Sequence, residues 1–567
     1  MEIANNWNRE PTLSYLGIDV PYLYIASSAV QRRVLKRNLT RANKQGSGNL
    51  TEAQKWGWRS KLFTQRLRKY HCIFIRLPFL ATFWHEDKHG EPFFPLQAIE
   101  GHTVGFYRNA NDVLERGRIH FGDTKALYSI TLAGETLFVI TGASDIQELY
   151  RNSSTITWDN LIKDMYSFVG LSPRSISRMW GETYEQLASI DSKNPTRSAH
   201  EMTSEYHRQK LLTAVNAENL IQRIVPRLEK SLSWNILRKH PACMRTSGDS
   251  ITISLWGWCN EVIIRSSVTA YYGPKIFEIN PNLLQVMMSW EATNWKFMYK
   301  LPDFMARDMV NARSEFIDTL CKYFETPKKD RSDALYFVTA MEEEIRAAGL
   351  SDREIAGIHM LHLWAITANV YKAAFWAIAH IVHRPELLAQ IRAEIAPAMG
   401  KDGETVDLKY LTEDCPRLEA FFNEVLRINS AGALAREVIT PTLFSRKVLA
   451  KGTKLMIPYR QLHPDGQAWG PSARDFDPER FLKDKNLTRS QNFRPFGGGH
   501  ILCPGRFVAK KSVYTIVALL LSRYDVTLET STANQKFPRI DDATAGIGTM
   551  APMPGEDVKL VVKPMKK

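Results

Sequence analysis

Residues 351–384, SDREIAGIHMLHLWAITANVYKAAFWAIAHIVHR, constrain the fold of this 567-residue chain more than any other stretch. Ser351 followed three residues later by Glu354 is the capping-box pattern of a helix start. Pro385 marks the stop. About 34 residues at 1.5 Å each make a rod of ~50 Å. Apolar residues cover almost its whole circumference, so the rod belongs inside the molecule, with other elements wrapped around it. Its length would also suit a membrane span. His359, His362, Asn369, Lys372 and His380 argue for a protein interior instead.

The elements that could wrap it are mostly helical. Residues 196–230 and 285–350 carry helical periodicity, and 416–430 (PRLEAFFNEVLRINS) reads as a further helix. The β-rich parts are short. Residues 126–141 (ALYSITLAGETLFVIT) predict a hairpin about Ala133-Gly134, and 436–465 predicts short strands with a turn at Lys451-Gly452. The tail TAGIGTMAPMPGEDVKLVVKP reads as a closing hairpin. There is no Pro/Gly/Ser-rich linker, repeat or low-complexity tract. The expected fold is mainly α with a small β-rich part, as one large unit behind an N-terminal extension.

That extension holds most of the charge. Residues 31–70 carry twelve Lys/Arg and one Glu, which is +11 of the net +14. Such a segment is either a solvated tail or a patch for an anionic membrane surface, where each basic residue is worth ~1 kcal/mol. No nucleic-acid recognition module accompanies it. The apolar stretch 71–84, HCIFIRLPFLATFW, is too short to span and is interrupted by Arg76. With no signal-sequence pattern at the N-terminus, membrane contact is expected to be peripheral. The cysteines, Cys72, Cys243, Cys259, Cys321, Cys415 and Cys503, are far apart and form no CxxC pair, which argues against a disulfide framework or a structural zinc site.

Cys503 stands apart from the other five. It lies in FGGGHILCPGR (496–506), amid glycines, directly before the helical stretch PGRFVAKKSVYTIVALLLSRY. Oriented N–H groups and a helix start both favour a thiolate, so a lowered thiol pKa is expected. No His–Asp pair stands nearby for hydrolysis. A thiolate ligating haem iron fits the context, and such a ligand pushes electron density towards O–O cleavage.

The stretch resembles the haem-binding signature of the cytochrome P450 family: Phe496, Gly499, Cys503 and Gly505 all match. Upstream, Glu424 and Arg427 match the family's Glu-x-x-Arg helix, where i,i+3 spacing lets them pair. FDPERF supplies Arg480 to the same polar cluster, and HPDGQAW (463–469) follows the family's run. The resemblance covers roughly 105–565. It implies two regions, a basic N-terminal extension (1–104) without the family's usual anchor helix and a haem-thiolate domain (105–567). It implies haem b as cofactor, with Cys503 as axial iron ligand, Phe496 packing beside the sulfur and Arg436 on a propionate. Ile501 replaces the basic residue many members use for that propionate. His500, His207 and Arg208 are the candidates to replace it.

The long helix resembles a particular branch. LWAITANVYKAAFW is similar to sterol 7α-hydroxylases and prostacyclin synthase, and the missing anchor adds a fungal-type character. Ala368 stands at the family's acid position, Asn369 at its alcohol position, and Lys372 where that branch has Pro. Lys372 is expected to be a solvated or snorkelling side chain. Asn369 is expected either to hold a proton-passing water or to bond a carbonyl in the helix groove.

The resemblance implies a monooxygenase acting on a lipophilic small molecule of terpenoid, sterol or polyketide type, in secondary metabolism. Its partner would be an electron donor of the NADPH-cytochrome P450 reductase type, at the cytoplasmic face of the endoplasmic reticulum. The missing acid and alcohol keep a second chemistry open, isomerisation or dehydration without external oxygen. A non-catalytic haem sensor or carrier is a third reading. Pocket-lining segments, by analogy, are 160–180, 285–300, 365–369, 432–437 and 545–551.

Overall fold

The computed structural model describes residues 99–565, except 133, 182–196, 212, 401–402, 404, 530–535 and 544–547. The chain divides into two units, Met1–Phe93 and Phe94–Lys567. The basic segment 31–70 and the apolar stretch 71–84 lie outside the described residues.

Helix α1 (Ala110–His120) leads into strands β1 (Tyr128–Leu132) and β2 (Glu135–Val139), the antiparallel hairpin that alternation predicted. Gly134, at φ +83°, takes a turn conformation closed to most side chains. Helix α2 (Ala143–Arg151), β3 (Ile156–Thr157) and α3 (Asp159–Phe168) follow. The helical stretch near 196–230 is α4 (Ala199–Leu211) and α5 (Ala214–Ser231). Strands β4 (Cys243–Ser247) and β5 (Ser250–Ser254) precede α6 (Leu255–Tyr272). The mixed region is α7 (Leu283–Thr293), α8 (Arg307–Glu325) and α9 (Tyr336–Ala347).

The central rod differs from expectation. It is two helices, α10 (Asp352–Thr367) and α11 (Val370–Val382), with the helical pattern interrupted at Ala368 and Asn369. The start is as read: Ser351 and Glu354 form the capping box. The interruption has a side-chain cause. Asn369 Oδ1 accepts the backbone N–H of Thr549 at 2.8 Å, and asparagine readily trades helix for such bonds. Every residue of α11 after Val370 is buried, and the most apolar window of 352–382 is 78% buried inside protein. The rod is therefore a core element. Pro385 opens the next helix, α12 (Pro385–Ile395), from its first turn, where a missing N–H costs nothing.

Helix α13 (Pro416–Asn429) is followed by β6 (Ala433–Val438), β7 (Thr442–Phe444), β8 (Lys447–Leu449) and β9 (Lys454–Pro458). Then come α14 (Arg506–Arg523), β10 (Tyr524–Leu528) and β11 (Lys559–Pro564). One sheet runs β1-β2-β9-β6-β3, a second β10-β11-β5-β4, and β7 pairs with β8. The tail is not a self-contained hairpin. Strand β11 pairs with β10 and β5, because Leu560 and Val562 complete a face already begun by Ile251, Ile253 and Val526. The largest core cluster joins α6, α10, α11 and α14, with Trp258, Phe375, Trp376 and Tyr514 fully buried. Each such side chain contributes about 1.5–3 kcal/mol through the water it sheds.

Candidate active site around Cys503

The glycines of 496–506 serve a neighbour as much as the sulfur. Gly497 and Gly499 have φ of +73° and +62°, where other residues are strained. Gly498 is extended, and its demand is for space: a Cβ there or at Gly499 would lie 2.8 Å from the Tyr150 ring. Tyr150, from the end of α2, lies on this bare backbone, and its hydroxyl meets that of Tyr459 at 2.6 Å. The Cys503 N–H donates to Phe496 O at 3.0 Å and closes the loop, while Phe496 packs on the main core. A Cβ at Gly505 would make only an ordinary 3.9 Å contact with Cys503 Sγ.

The sulfur sits at the start of α14. Burial pushes the thiol pKa up, against the N–H groups of Gly505 and Arg506 and the Arg506 charge, which pull it down. The expected helix-start effect is present in sign, but desolvation outweighs it. A bound metal reverses that balance, since a coordinating thiol is deprotonated outright.

Behind the loop, Glu424 and Arg427 are 0% exposed, so this is no surface pair. The guanidinium donates to both Glu424 oxygens (2.7 and 2.8 Å) and to the carbonyls of His463, Ala473 and Asp475. Glu424 also accepts the Asp477 N–H (2.9 Å) and Arg480 Nε (3.3 Å). Arg480 continues to the Trp469 and Ser472 carbonyls. His463 Nε2 accepts the Arg494 N–H at 3.1 Å, which ties this network to the residues just before Phe496.

Arg436, on β6, is 9% exposed. Among the described residues its hydrogen bond goes to the Ala435 carbonyl, and its guanidinium lies 5.5 Å from the Trp158 ring. Arg494 and Arg436 both act electrostatically on Tyr150 and Tyr459, so two cations converge on one tyrosine pair. His500 is exposed. His207 does not join the cluster: it donates from Nδ1 to Thr203 O at 2.8 Å, and its ring stacks on His362 with centroids 4.9 Å apart. Its neighbour Arg208 is exposed.

On the helix opposite, Ala368 is buried and Asn369 is held by the C-terminal tail. The contact is close enough that a Cβ at Gly548 would fall 1.9 Å from Asn369 Oδ1. The partner of Asn369 is thus a backbone N–H rather than a carbonyl. Lys372 is not solvated. It is 8% exposed and paired with Glu291 of α7, because an ammonium this deep needs a counter-charge. Ala365 is exposed amid buried neighbours, so α10 borders open space there.

These residues fit a haem. A sulfur cradled by N–H groups suits an iron ligand, and a buried arginine without a carboxylate partner among the described residues suits a propionate. The profile described as Cytochrome P450 matches residues 262–549. The chain belongs to the cytochrome P450 family. It is similar to the cytochrome P450 monooxygenase nodJ of Hypoxylon pulicicidum, 24% identical over 459 residues, 76% of this chain and 82% of that one. It is likewise similar to the cytochrome P450 monooxygenase poxD of Penicillium oxalicum, 24% identical over 487 residues, covering 83% and 92%. A 7-alpha-hydroxycholest-4-en-3-one 12-alpha-hydroxylase of Oryctolagus cuniculus is 26% identical over 299 residues, covering 48% and 57%. By family and relatives the chain is a cytochrome P450 monooxygenase, an oxidoreductase, and the family implies a haem-thiolate cofactor.

Sequence reading of this cytochrome P450 missed Tyr150, Tyr459, Arg494, Trp158 and Glu291. Arg494 stands two residues before Phe496, and Glu291 is the lone charge in LLQVMMSWEAT, which are signals a closer reading could use. Tyr150 carries no such signal, since its partners are some 310 to 350 positions away.

Proposed function

We propose that this cytochrome P450 oxidises a lipophilic small molecule of terpenoid, sterol or polyketide type in secondary metabolism. Electrons would come from a donor of the NADPH-cytochrome P450 reductase type. The observation that carries the chemistry is Cys503, its sulfur facing two N–H groups at the head of α14, with the buried Arg436, which forms no ion pair among the described residues, acting on the Tyr150 that packs on the same loop. Bound there, haem supplies the oxygen activation for which the family is known. The chain's own part is to hold the thiolate, brace the loop through Glu424, Arg427 and Arg480, neutralise the propionates with Arg436 and Arg494, and offer them hydrogen bonds from the tyrosine pair. The apolar character of Ala365 and of Ala433 to Ala435, none of them fully buried, supports a lipophilic substrate, and the fungal relatives support a fungal setting.

The deciding experiment identifies the compound that accumulates when the gene is deleted and gives it to purified holoprotein with a reductase. Product should gain one oxygen atom and require both oxygen and NADPH. Full product formation in anaerobic buffer without reductase would instead establish isomerisation or dehydration, the reading favoured by the missing acid and alcohol at Ala368 and Asn369.

The basic segment 31–70 is proposed to hold the enzyme peripherally on the anionic cytoplasmic face of the endoplasmic reticulum. Deleting residues 1–70 should move the protein from pelleted vesicles to supernatant, and salt should do the same by screening. Binding that survives both would assign the contact to another surface.

A further inference from the structure

From Ile355 to Ala368, helix α10 is buried at every position but three: His362, Ala365 and Ile366. With Asn369 at the break they are spaced i, i+3, i+4 and i+7, which is one face of a helix. Ala365 is exposed although α10 belongs to the core, so this face borders open space. Ala365 and Ile366 offer that space only hydrocarbon. Asn369 has its oxygen held by Thr549. His362 is the polar residue of the face with no hydrogen bond to any described residue.

Its neighbours show the contrast. His359, one turn earlier and 0% exposed, has Nδ1 at 3.0 Å from the Tyr272 hydroxyl. His207 of α4 donates from Nδ1 to Thr203 O at 2.8 Å. His362 is held by ring packing alone. It stacks on His207 with centroids 4.9 Å apart and planes 14° from parallel, and its centroid lies 6.2 Å from that of Phe337 on α9. Stacking fixes the ring and leaves its edge, which carries both nitrogens, open. A polar group withdrawn from water without a partner is destabilising, so the position invites a ligand. The cluster also reaches towards the sulfur. Phe337 meets Tyr271 of α6 edge-on at 5.9 Å, and Tyr271 lies near enough to feel the charge of Cys503. One run of packed rings therefore leads from the surroundings of Cys503 to His362.

The chemistry of the ring narrows what it can bind. Burial holds His362 well below the ordinary 6.5, and His207, His359 and His200 around it disfavour a further positive charge. A neutral imidazole has one N–H donor and one acceptor. That pair suits a hydroxyl, and the donor alone suits a carbonyl. A carboxylate would call for a cation, and a hydrocarbon gains no bond.

We propose that His362 reads an oxygen function, hydroxyl or carbonyl, on the otherwise lipophilic substrate, with His207 and Phe337 holding its ring. The proposal rests on the lipophilic-substrate reading above. The substrate is then already oxygenated, which places this enzyme after the step that installs that oxygen.

The test is a binding measurement. Oxidised holoprotein is dialysed to equilibrium against labelled androstane, androstan-3-one and androstan-17-one, one skeleton with no carbonyl or with one at either end. Wild type should bind at least one ketone about fivefold to tenfold more tightly than androstane, the scale of one net hydrogen bond. His362→Phe keeps a ring for His207 to stack on and removes both nitrogens. It should bind androstane as wild type does and lose the preference. His362→Gln restores a donor and an acceptor and should recover part of it.

No preference in wild type, or a preference that survives in His362→Phe, would overturn the proposal. Haem content and melting temperature are read on the same samples. If His362→Phe holds no haem, His362→Leu carries the same comparison, and haem loss from both would make the residue structural or a haem contact and overturn its role in specificity. Wild type that binds none of the three compounds would sink the lipophilic-substrate reading and this proposal with it. Androstane bound without any ketone preference would sink only the role of His362.

Discussion

The two sides of the proposed haem site are built on different principles. On the Cys503 side, most of the bracing groups come from short stretches within 424–506, in family order, joined by Tyr150 from α2, and the central ion pair is buried: Glu424 and Arg427 show no exposed surface. On the side of α10 and α11, Ala368 and Asn369 stand where the family has its acid and alcohol, and the groups bonded to this stretch come from distant chain. Thr549 holds Asn369, and Glu291 reaches Lys372 and the void beside Ala368. A bracing network must keep its geometry, because removing one partner strands a buried charge.

That contrast can be broken first at the sulfur. Cys503→Ala should abolish the long-wavelength Soret band of the reduced protein with carbon monoxide, and a retained band would show another ligand. Next, Glu424→Ala strands Arg427 and should cost about 3–5 kcal/mol, leaving little or no haem-loaded protein. Stable holoprotein with merely slow turnover would make the network catalytic rather than bracing.

Smaller effects sharpen the comparison through one methyl group on each side. Gly498→Ala drives a Cβ against the Tyr150 ring and should cost about 1–3 kcal/mol, read as a lower melting point and faster haem loss. Gly548→Ala strikes Asn369 instead, so its main readout should be peroxide released per NADPH consumed, with haem retention little changed. If the two variants gave the same profile, the division of labour would not hold.

Acid acts on both sides alike. Burial holds His463, beside the Cys503 loop, neutral down to about 3, and His200, on α4, down to about 4, against an ordinary value of 6.5. Above 6.5 neither folded nor unfolded chain binds these protons. As pH falls below it, only the unfolded chain takes them, so stability drops by about 1.4 kcal/mol per pH unit for each histidine until the folded values are reached. Urea melts at pH 7 and pH 5 should show the loss, and equal midpoints would contradict it.

The same contrast explains what was legible in the sequence. The hairpin at 128–139 and the cap at Ser351 rest on near neighbours, and local pattern reaches that far, while the ligand loop and the Glu424–Arg427–Arg480 network were legible through the family's motifs. The break at Asn369 was not legible, because its cause, Thr549, is 180 positions away. Lys372 was misread as solvated because its counter-charge lies on another helix. His207 was one of three candidates for a propionate by the family resemblance, yet its ring packs on His362 and Phe337. The thiol was expected to be acidified by the helix start, and desolvation, which sequence does not display, decided otherwise.

The second sheet has a consequence for how the molecule is made. Ile251 of β5 is paired with Val562 of β11, more than half the chain later. On the ribosome, β5 and β4 must wait as an unfinished edge until β11 has been made and has cleared the exit tunnel. Such long-range pairing is slow, and waiting edges invite aggregation. The same late tail delivers Thr549 to Asn369, so a chain stopped at about residue 540 would lack both the closing strand and the clasp on the central helix. A tag or fusion placed directly after β11 therefore sits a few residues from this late pairing, and one placed away from it should disturb the second sheet less.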